Sequence, residues 1–239
     1  MDMQTIGLIG GMSFESSAVY YRMINEAVRA QLGGLHSADI LLHSVDFQSI
    51  VDLQKAGNWA GAAARLSTVA RGLEAAGADC VMICTNTMHL IADDVQTSIS
   101  VPLIHIVDET ALRLKAQGAK RPLLLATRYT MEHGFYTDRM STHGLDVIVP
   151  NADDRTVVHD IIFAELCAGS VRDCSRQRLH DIIERAKAAG ADSVILGCTE
   201  ICLILDPANL SLPGFDSTDI HAQAAVRFAL EATPIQNAA

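Results

Sequence analysis

Ala75-Ala76-Gly77-Ala78-Asp79-Cys80-Val81-Met82-Ile83-Cys84-Thr85-Asn86-Thr87 recurs 113 residues later as Ala188-Ala189-Gly190-Ala191-Asp192-Ser193-Val194-Ile195-Leu196-Gly197-Cys198-Thr199-Glu200. Each copy reads as the end of a helix, a Gly-Ala-Asp turn, a buried strand and then an abrupt group of small polar residues. The offset is close to half of the 239-residue chain, which points to a duplicated α/β unit rather than one large domain. In this register Thr85 stands opposite Cys198. Two halves facing one another about a pseudo-two-fold axis would present two proton-carrying side chains to one cleft, a geometry suited to chemistry on both faces of a single carbon.

Outward from the repeat, strands alternate with helical patterns. Thr5–Ile9, Ile40–Val45, the first repeat copy, Val101–Val107, Leu123–Ala126, Leu145–Val149, the second copy and Pro213–Asp216 read as strands. Amphipathic or Ala-rich helices lie between them and close the chain over Ile220–Glu231. That alternation predicts an α/β fold of two pseudo-symmetric Rossmann-like domains, each a parallel sheet flanked by helices, with the active site in the interdomain cleft. The expected domains are residues 1–112 with 214–239, the last helix returning to the first domain, and residues 113–213. The tail after Thr233 reads as disordered.

Composition narrows the function. Apolar residues make up 49% and aromatic residues 5%, as suits strands buried on both faces by Ala, Val, Ile and Leu. A net charge of −10 with 18 scattered basic residues argues against nucleic-acid binding. The opening residues form no basic leader and the first apolar run is too short to span a bilayer, so a cytoplasmic protein with no membrane partner is expected. The six cysteines are then expected as reduced thiols. Their spacings do not give a four-ligand zinc pattern, and no metal is expected. The glycines at positions 7, 10 and 11 fit neither a dinucleotide fingerprint nor a P-loop.

Four segments end strands with small polar groups: Gly10–Ser13, Thr85–Thr87, Thr127–Thr130 and Cys198–Glu200. Each precedes a helical pattern, so free N–H groups and positive helix ends would gather at the strand tips and favour a carboxylate or phosphate. The ordinary alternative is that Ser, Thr and Asn there simply cap helices, as in any α/β protein. Cys198 is the most suggestive side chain, because a thiol at a helix N-terminus can have its pKa lowered from ~8.5 to between ~3.5 and ~7.5 and serve as a base near neutral pH. Cys80, Cys167 and Cys202 read instead as buried, inert thiols.

Residues 5 to about 231 resemble the aspartate/glutamate racemase family, cofactor-independent enzymes with two pseudo-symmetric α/β domains. The resemblance rests on Gly10-Gly11-Met12-Ser13-x-Glu15-Ser16, Asn86-Thr87-x-His89, Gly197-Cys198-Thr199-Glu200 and Phe215-Asp216-Ser217-Thr218 followed by Ile220-His221. It implies an isomerase, an amino-acid racemase that needs neither pyridoxal phosphate nor any other cofactor. In that family two cysteines usually flank the substrate, one removing the α-proton and the other returning a proton to the opposite face. The second is present as Cys198. The first is replaced by Thr85, whose hydroxyl can donate a proton but cannot be poised as an anion.

The chain is therefore expected to resemble the Thr/Cys subset acting on L-aspartate and L-glutamate, with Cys198 as base and Thr85 as opposing donor, and to make a D-amino acid. Asn86, Thr87 and Thr199 would hold the α-carboxylate as charge spreads onto it. Thr127 and Thr130 line the same tips. Glu200 would position the thiol or receive the substrate ammonium. Met12 and Gln54 are implied as pocket residues by the resemblance alone. Arg128 and Arg155 are both candidates for gripping the side-chain carboxylate, and His89 and His221 are expected to make supporting hydrogen bonds. The partner implied is a small acidic amino acid, and a homodimer is expected. Two other readings stay open: an arylmalonate-type decarboxylase with Cys198 as sole proton donor, and a non-catalytic carboxylate-binding protein.

Overall fold

A computed structural model describes residues 3–231; the tail after Thr233 lies outside them. The chain divides into two compact units, one of Met1–His105 with His221–Ala239 and one of Ile106–Ile220.

In the first unit, β1 (Ile6–Gly10), β2 (Ile40–Ser44) and β3 (Cys80–Ile83) form a parallel sheet in the order β2-β1-β3. Its connections are α1 (Phe14–Leu32), α2 (Phe47–Lys55), α3 (Trp59–Ala75), a 3₁₀ turn over Thr87–Ile91 and α4 (Ala92–Thr97). Alternation along the strands sends Ile6, Leu8, Cys80 and Met82 to one face and Ile9, Val81 and Ile83 to the other. Tyr20, Ile24 and Val28 of α1 cover the first face, and Leu66, Val69 and Leu73 of α3 cover the second. Both faces are therefore dry along β1 and β3, which is why these two strands carry no charged or strongly polar side chain, whereas the edge strand β2 is partly exposed.

The second unit holds α5 (Ile106–Ala116), β4 (Pro122–Leu125), α6 (Arg128–Glu132), α7 (Phe135–Thr142), α8 (Ala152–Asp160), α9 (Asp173–Ala188), β5 (Ser193–Leu196) and β6 (Gly214–Asp216). Its parallel sheet runs β4-β5-β6. The helix α10 (Ser217–Glu231) closes the chain, its residues from His221 onward belonging to the first unit. Isolated parallel bridges Val81↔Leu103 and Leu123↔Ile148 extend the two sheets by one position each. With them included, each sheet has its second strand, then its first, third and fourth, in chain order. The duplication read from the sequence thus reappears as a shared topology.

The repeated turn explains its own sequence. α3 and α9 end at Gly77 and Gly190, with φ of 101° and 96°, a backbone state that side chains resist. The next residues cap the helices, Ala78 N donating to Leu73 O and Ala191 N to Ala186 O. The aspartates that come after them tie each turn to the neighbouring strand. Asp79 Oδ2 accepts from Thr5 N at 2.7 Å, and Asp192 Oδ2 accepts from Lys120 N at 2.7 Å and Arg121 N at 2.9 Å. In return Asp79 N donates to Thr5 O and Asp192 N to Arg121 O. Each carboxylate therefore pins β3 on β1, or β5 on β4, at the point where the strands begin.

Three expectations need correction. Val101–Val107 is not a strand: Pro102 O and Val81 O exchange bonds with Val81 N and Ile104 N around one bridge, and α5 begins at Ile106. Leu145–Val149 likewise contributes a single bridge at Ile148. The division of the chain falls at 105/106 and 220/221 rather than 112/113 and 213/214, because α5 packs in the second unit and Gly214–Asp216 pairs with β5.

Asp192→Ala is expected to cost about 1–2 kcal/mol in urea unfolding at pH 7, and Asp79→Ala less, since one backbone donor is orphaned instead of two. Burial pushes the Asp192 carboxyl up, but the Arg121, Lys120 and Ser193 hydrogen bonds outweigh it and leave its pKa below the ordinary value. Its stabilisation is therefore present above the unfolded value of about 4 and fades as pH falls through the lower folded value. Equal losses for the two variants, or a gap to wild type that persists at pH 2, would contradict the strand-pinning role.

Candidate active site

Parallel α/β sheets handle ligands at the carboxyl ends of their strands. In the first unit the tip of β3 is Cys84-Thr85-Asn86. Cys84 is buried and burial pushes its thiol far up, so it is an inert hydrophobe. Thr85 comes next, half-buried, with its backbone held on both sides: its N donates to Ile83 O at 2.8 Å, and its O accepts from His89 Nδ1 at 2.8 Å. Asn86 and His89 are buried, and Thr87 is half-buried at the start of the 3₁₀ turn. Gln54, on α2, reaches that turn and donates to Met88 Sδ at 3.1 Å. Met12, beyond β1, is buried in the cluster of Ile9, Val45, Ile50 and Met88.

Behind Thr85 lies a set of rings that the sequence only hinted at. His89 stands edge-on to His105 and His221 at centroid distances of 4.6 and 5.5 Å. Tyr20 Oη donates to His221 Nδ1 at 2.9 Å, while His221 Nε2 donates to Ile104 O at 2.7 Å. Burial, with the His89 ring beside it, drops the His221 pKa to about 3, so this imidazole is neutral and its two bonds fix its tautomer. The effect is structural: α1, α10 and the chain leaving β3 are joined beneath the residue that bears Thr85. Tyr20 and His105 carried no spacing signal that could have found them.

In the second unit the tips of β4 and β5 are level, since Leu125 pairs with Leu196 and Gly197 N donates to Leu125 O at 2.8 Å. Thr127 and Cys198 therefore emerge side by side. Thr127 caps α6, its Oγ1 accepting from Thr130 N, and the two hydroxyls lie 3.2 Å apart. Thr130 is buried. Thr199 Oγ1 is 3.4 Å from Thr218 Oγ1. Cys202, one turn after Cys198, hydrogen-bonds to Asp216, and both groups have pKa values pushed up by burial first. Cys167, read as buried, is exposed.

The half-buried Cys198 thiol donates to Glu200 Oε2 at 2.9 Å. Burial, and then the Glu200 carboxylate, raise its pKa well above the ordinary value. The lowered pKa expected from a helix N-terminus is thus overturned. The chain leaves Cys198 in a five-residue 3₁₀ turn, Thr199–Leu203, with little dipole, and an anion sits two residues on. The thiol is protonated and already bonded to a proton acceptor. Arg155 is spoken for, its Nε on Glu132 at 2.9 Å and its Nη1 on Pro150 O at 2.8 Å. Among the described residues no group of three or more His, Cys, Asp or Glu could hold a metal ion, and no helix is long and apolar enough to cross a membrane.

A duplicated, doubly covered parallel α/β protein with a thiol and a hydroxyl at repeat-related strand tips belongs to the class that works on small molecules at those tips. The model of the Asp/Glu/Hydantoin racemase family matches residues 9–225, and the chain belongs to that family, whose racemases are isomerases. The crystal structure of a candidate Asp/Glu racemase from Yersinia pestis superposes with a TM-score of 0.91 at 50% identity, over 95% of this chain and 100% of that one. An aspartate racemase homologue from Pyrococcus horikoshii OT3 superposes at 0.85 and 33%, covering 95% and 99%. The broad specificity amino-acid racemase RacX of Bacillus subtilis (strain 168) is 27% identical over 154 residues, 64% of this chain and 66% of RacX, just under two thirds of its length.

Replacing Glu200 by Gln removes the charge that opposes thiolate formation, so the Cys198 thiolate should form at lower pH. The check is the pH midpoint of alkylation by iodoacetamide, taken as the difference from Cys198→Ser. A midpoint that stays put would mean that burial alone sets the thiol.

Proposed function

We propose that this protein is a cofactor-independent amino-acid racemase acting on L-aspartate and L-glutamate. The observation that carries the reading is the Cys198–Glu200 hydrogen bond at the tip of β5. The resemblance implies that Cys198 corresponds to one of the family's two cysteines, and Thr85 occupies the repeat-related position at the tip of β3. The Yersinia and Pyrococcus structures and RacX, by their descriptions, support the reaction class.

In this mechanism the thiol proton passes to Glu200 along the existing bond as the substrate ammonium arrives and favours the thiolate. The thiolate then takes the α-proton of the L-amino acid: the C–H bond breaks, an S–H bond forms, and the electron pair spreads onto the α-carboxylate. Asn86, Thr87, Thr127, Thr130 and Thr199 are the donors proposed for that carboxylate, a good one being worth ~3 kcal/mol in the transition state. Thr85 Oγ–H protonates the opposite face to give the D-amino acid; the Thr85 oxygen then takes a proton from water, and the hydroxide so formed takes the proton held by Glu200, which returns both groups to their starting state. Because an alcohol is a poor acid beside a thiol, most carbanions are reprotonated by Cys198. Exchange with solvent should therefore outrun inversion.

A protonated Cys198 also suits the decarboxylase reading, in which a lone thiol delivers a proton to the carbanion left by carbon dioxide. One experiment separates the two. Proton NMR of L-aspartate and L-glutamate in D2O should show the α-proton signal vanish without release of carbon dioxide, faster than D-enantiomer accumulates. Cys198→Ser should slow the exchange by roughly 10³-fold or more, and Thr85→Cys should open exchange on the D-substrates. Undiminished exchange in Cys198→Ser would refute the assignment, and decarboxylation of an arylmalonate in place of exchange would favour the second reading.

A further inference from the structure

A negatively charged protein that takes a dicarboxylate needs a cation at the site, and the second unit narrows the choice. Arg121 is held by Asp146, Arg139 by Asp108, Arg155 by Glu132, Arg172 by Glu165, Arg176 by Asp173 and Arg185 by Asp154. Arg178 is exposed on α9, and Arg113 and Lys115 are exposed in the last turn of α5, which leads to the start of β4 rather than to its tip. Lys187 donates to Ser211 O, and Lys120 lies at the opposite end of β4 from the tips. Arg128 differs from all of these in its place at a strand tip. It is the residue after Thr127, exposed, and its guanidinium takes part in no described hydrogen bond or ion pair. Glu132, four residues on and on the same helix face, would be its natural partner. That carboxylate is engaged instead by Arg155 at 2.9 Å, which leaves Arg128 available.

The placement suits a ligand at Cys198. Thr127 is level with Cys198 on the adjacent strand, and neighbouring strands lie about 4.8 Å apart, so the Arg128 backbone starts within about 10 Å of the thiol. Its peptide N–H donates to His159 Nδ1 at 3.4 Å, which steadies the backbone. Burial first and then the Arg128 charge hold the His159 pKa below its ordinary value, so no second cation forms beside it at neutral pH. A guanidinium offers paired N–H donors that match a carboxylate.

We infer that Arg128 is the specificity-determining residue that grips the side-chain carboxylate of an acidic amino acid whose α-carbon lies at Cys198. The inference rests on the racemase reading for its substrate, and two separate readouts keep the two apart.

Binding of L-glutamate and of its uncharged isostere L-glutamine is measured by calorimetry on the Cys198→Ala protein, and α-proton exchange of both is measured in D2O on proteins with Cys198 intact. Arg128→Gln should lower the acid-over-amide preference by roughly 10- to 100-fold in both measurements, with glutamine little changed. Arg128→Lys should fall between, since it keeps the charge without the paired donors. Arg178→Gln, the same charge change on α9, should leave the preference as it is. An unchanged preference in Arg128→Gln, or a wild type that does not prefer the acid, overturns the assignment. A wild type that exchanges neither compound yet binds glutamate through Arg128 refutes the racemase reading and leaves the Arg128 assignment standing.

Discussion

The strand register set by two turn carboxylates is the constraint on which the tips depend. A parallel sheet displays its chemistry wherever its strands happen to end, and a slip of one residue sends every side chain to the other face. Asp79 and Asp192 prevent that slip by binding the backbone N–H groups at the start of the adjacent strand. With the start fixed and only four residues in each of β3 and β5, the end is fixed too. Thr85 and Cys198 are therefore placed by aspartates at the far end of their own strands. The dry faces of the sheets do the rest, because a wholly buried strand gains only by keeping every side chain in its own packing layer.

Much of this could be read from the sequence because the signal was repeated. One Ala-Ala-Gly-Ala-Asp turn is a weak clue, but two at a constant offset identified the helix ends, the buried strands and the polar tips together. Where the sequence misled, the structure supplies a physical reason. Val101–Val107 and Leu145–Val149 have strand-like composition, yet each meets its sheet at one residue only, and composition carries no information on how far a ladder extends. The apolar spacing over Val157–Cys167 suggests one helix, whereas α8 ends at Asp160 and a π turn over Ile161–Glu165 and a 3₁₀ turn over Leu166–Ala168 follow it. Cys167 lies in that 3₁₀ turn and is exposed.

The thiol shows why local patterns are poor guides to acidity. A cysteine after a strand and before a helical pattern looks activated, but that inference needs a helix long enough to carry a dipole and the absence of a nearby anion. Neither condition holds at Cys198, which leads into a 3₁₀ turn and whose hydrogen bond is accepted by Glu200. A protonated thiol with an acceptor in place is a resting state. A cationic ammonium drawn to the same carboxylate would lower the cost of forming the thiolate only once substrate is present. In the proposed mechanism such an arrangement would keep the sulfur quiet between turnovers.

The two repeat copies differ in a way that the same chemistry explains. Thr85, Asn86 and Thr87 align with Cys198, Thr199 and Glu200. Two of the three differences, Thr85 for Cys198 and Thr87 for Glu200, concern acid–base chemistry, and they change together. A thiol that must become an anion needs an acceptor for its proton, and the copy with the thiol has the carboxylate. In the proposed mechanism Thr85 only donates and needs none, and a carboxylate beside it would repel the carbanion. In its place the first copy has the rings of His89, His105 and the neutral His221, of which His89 holds the Thr85 backbone through its carbonyl. The asymmetry between the halves thus agrees with the proposed mechanism, with charge at the tip proposed to take a proton and backbone hydrogen bonding at the tip proposed to give one.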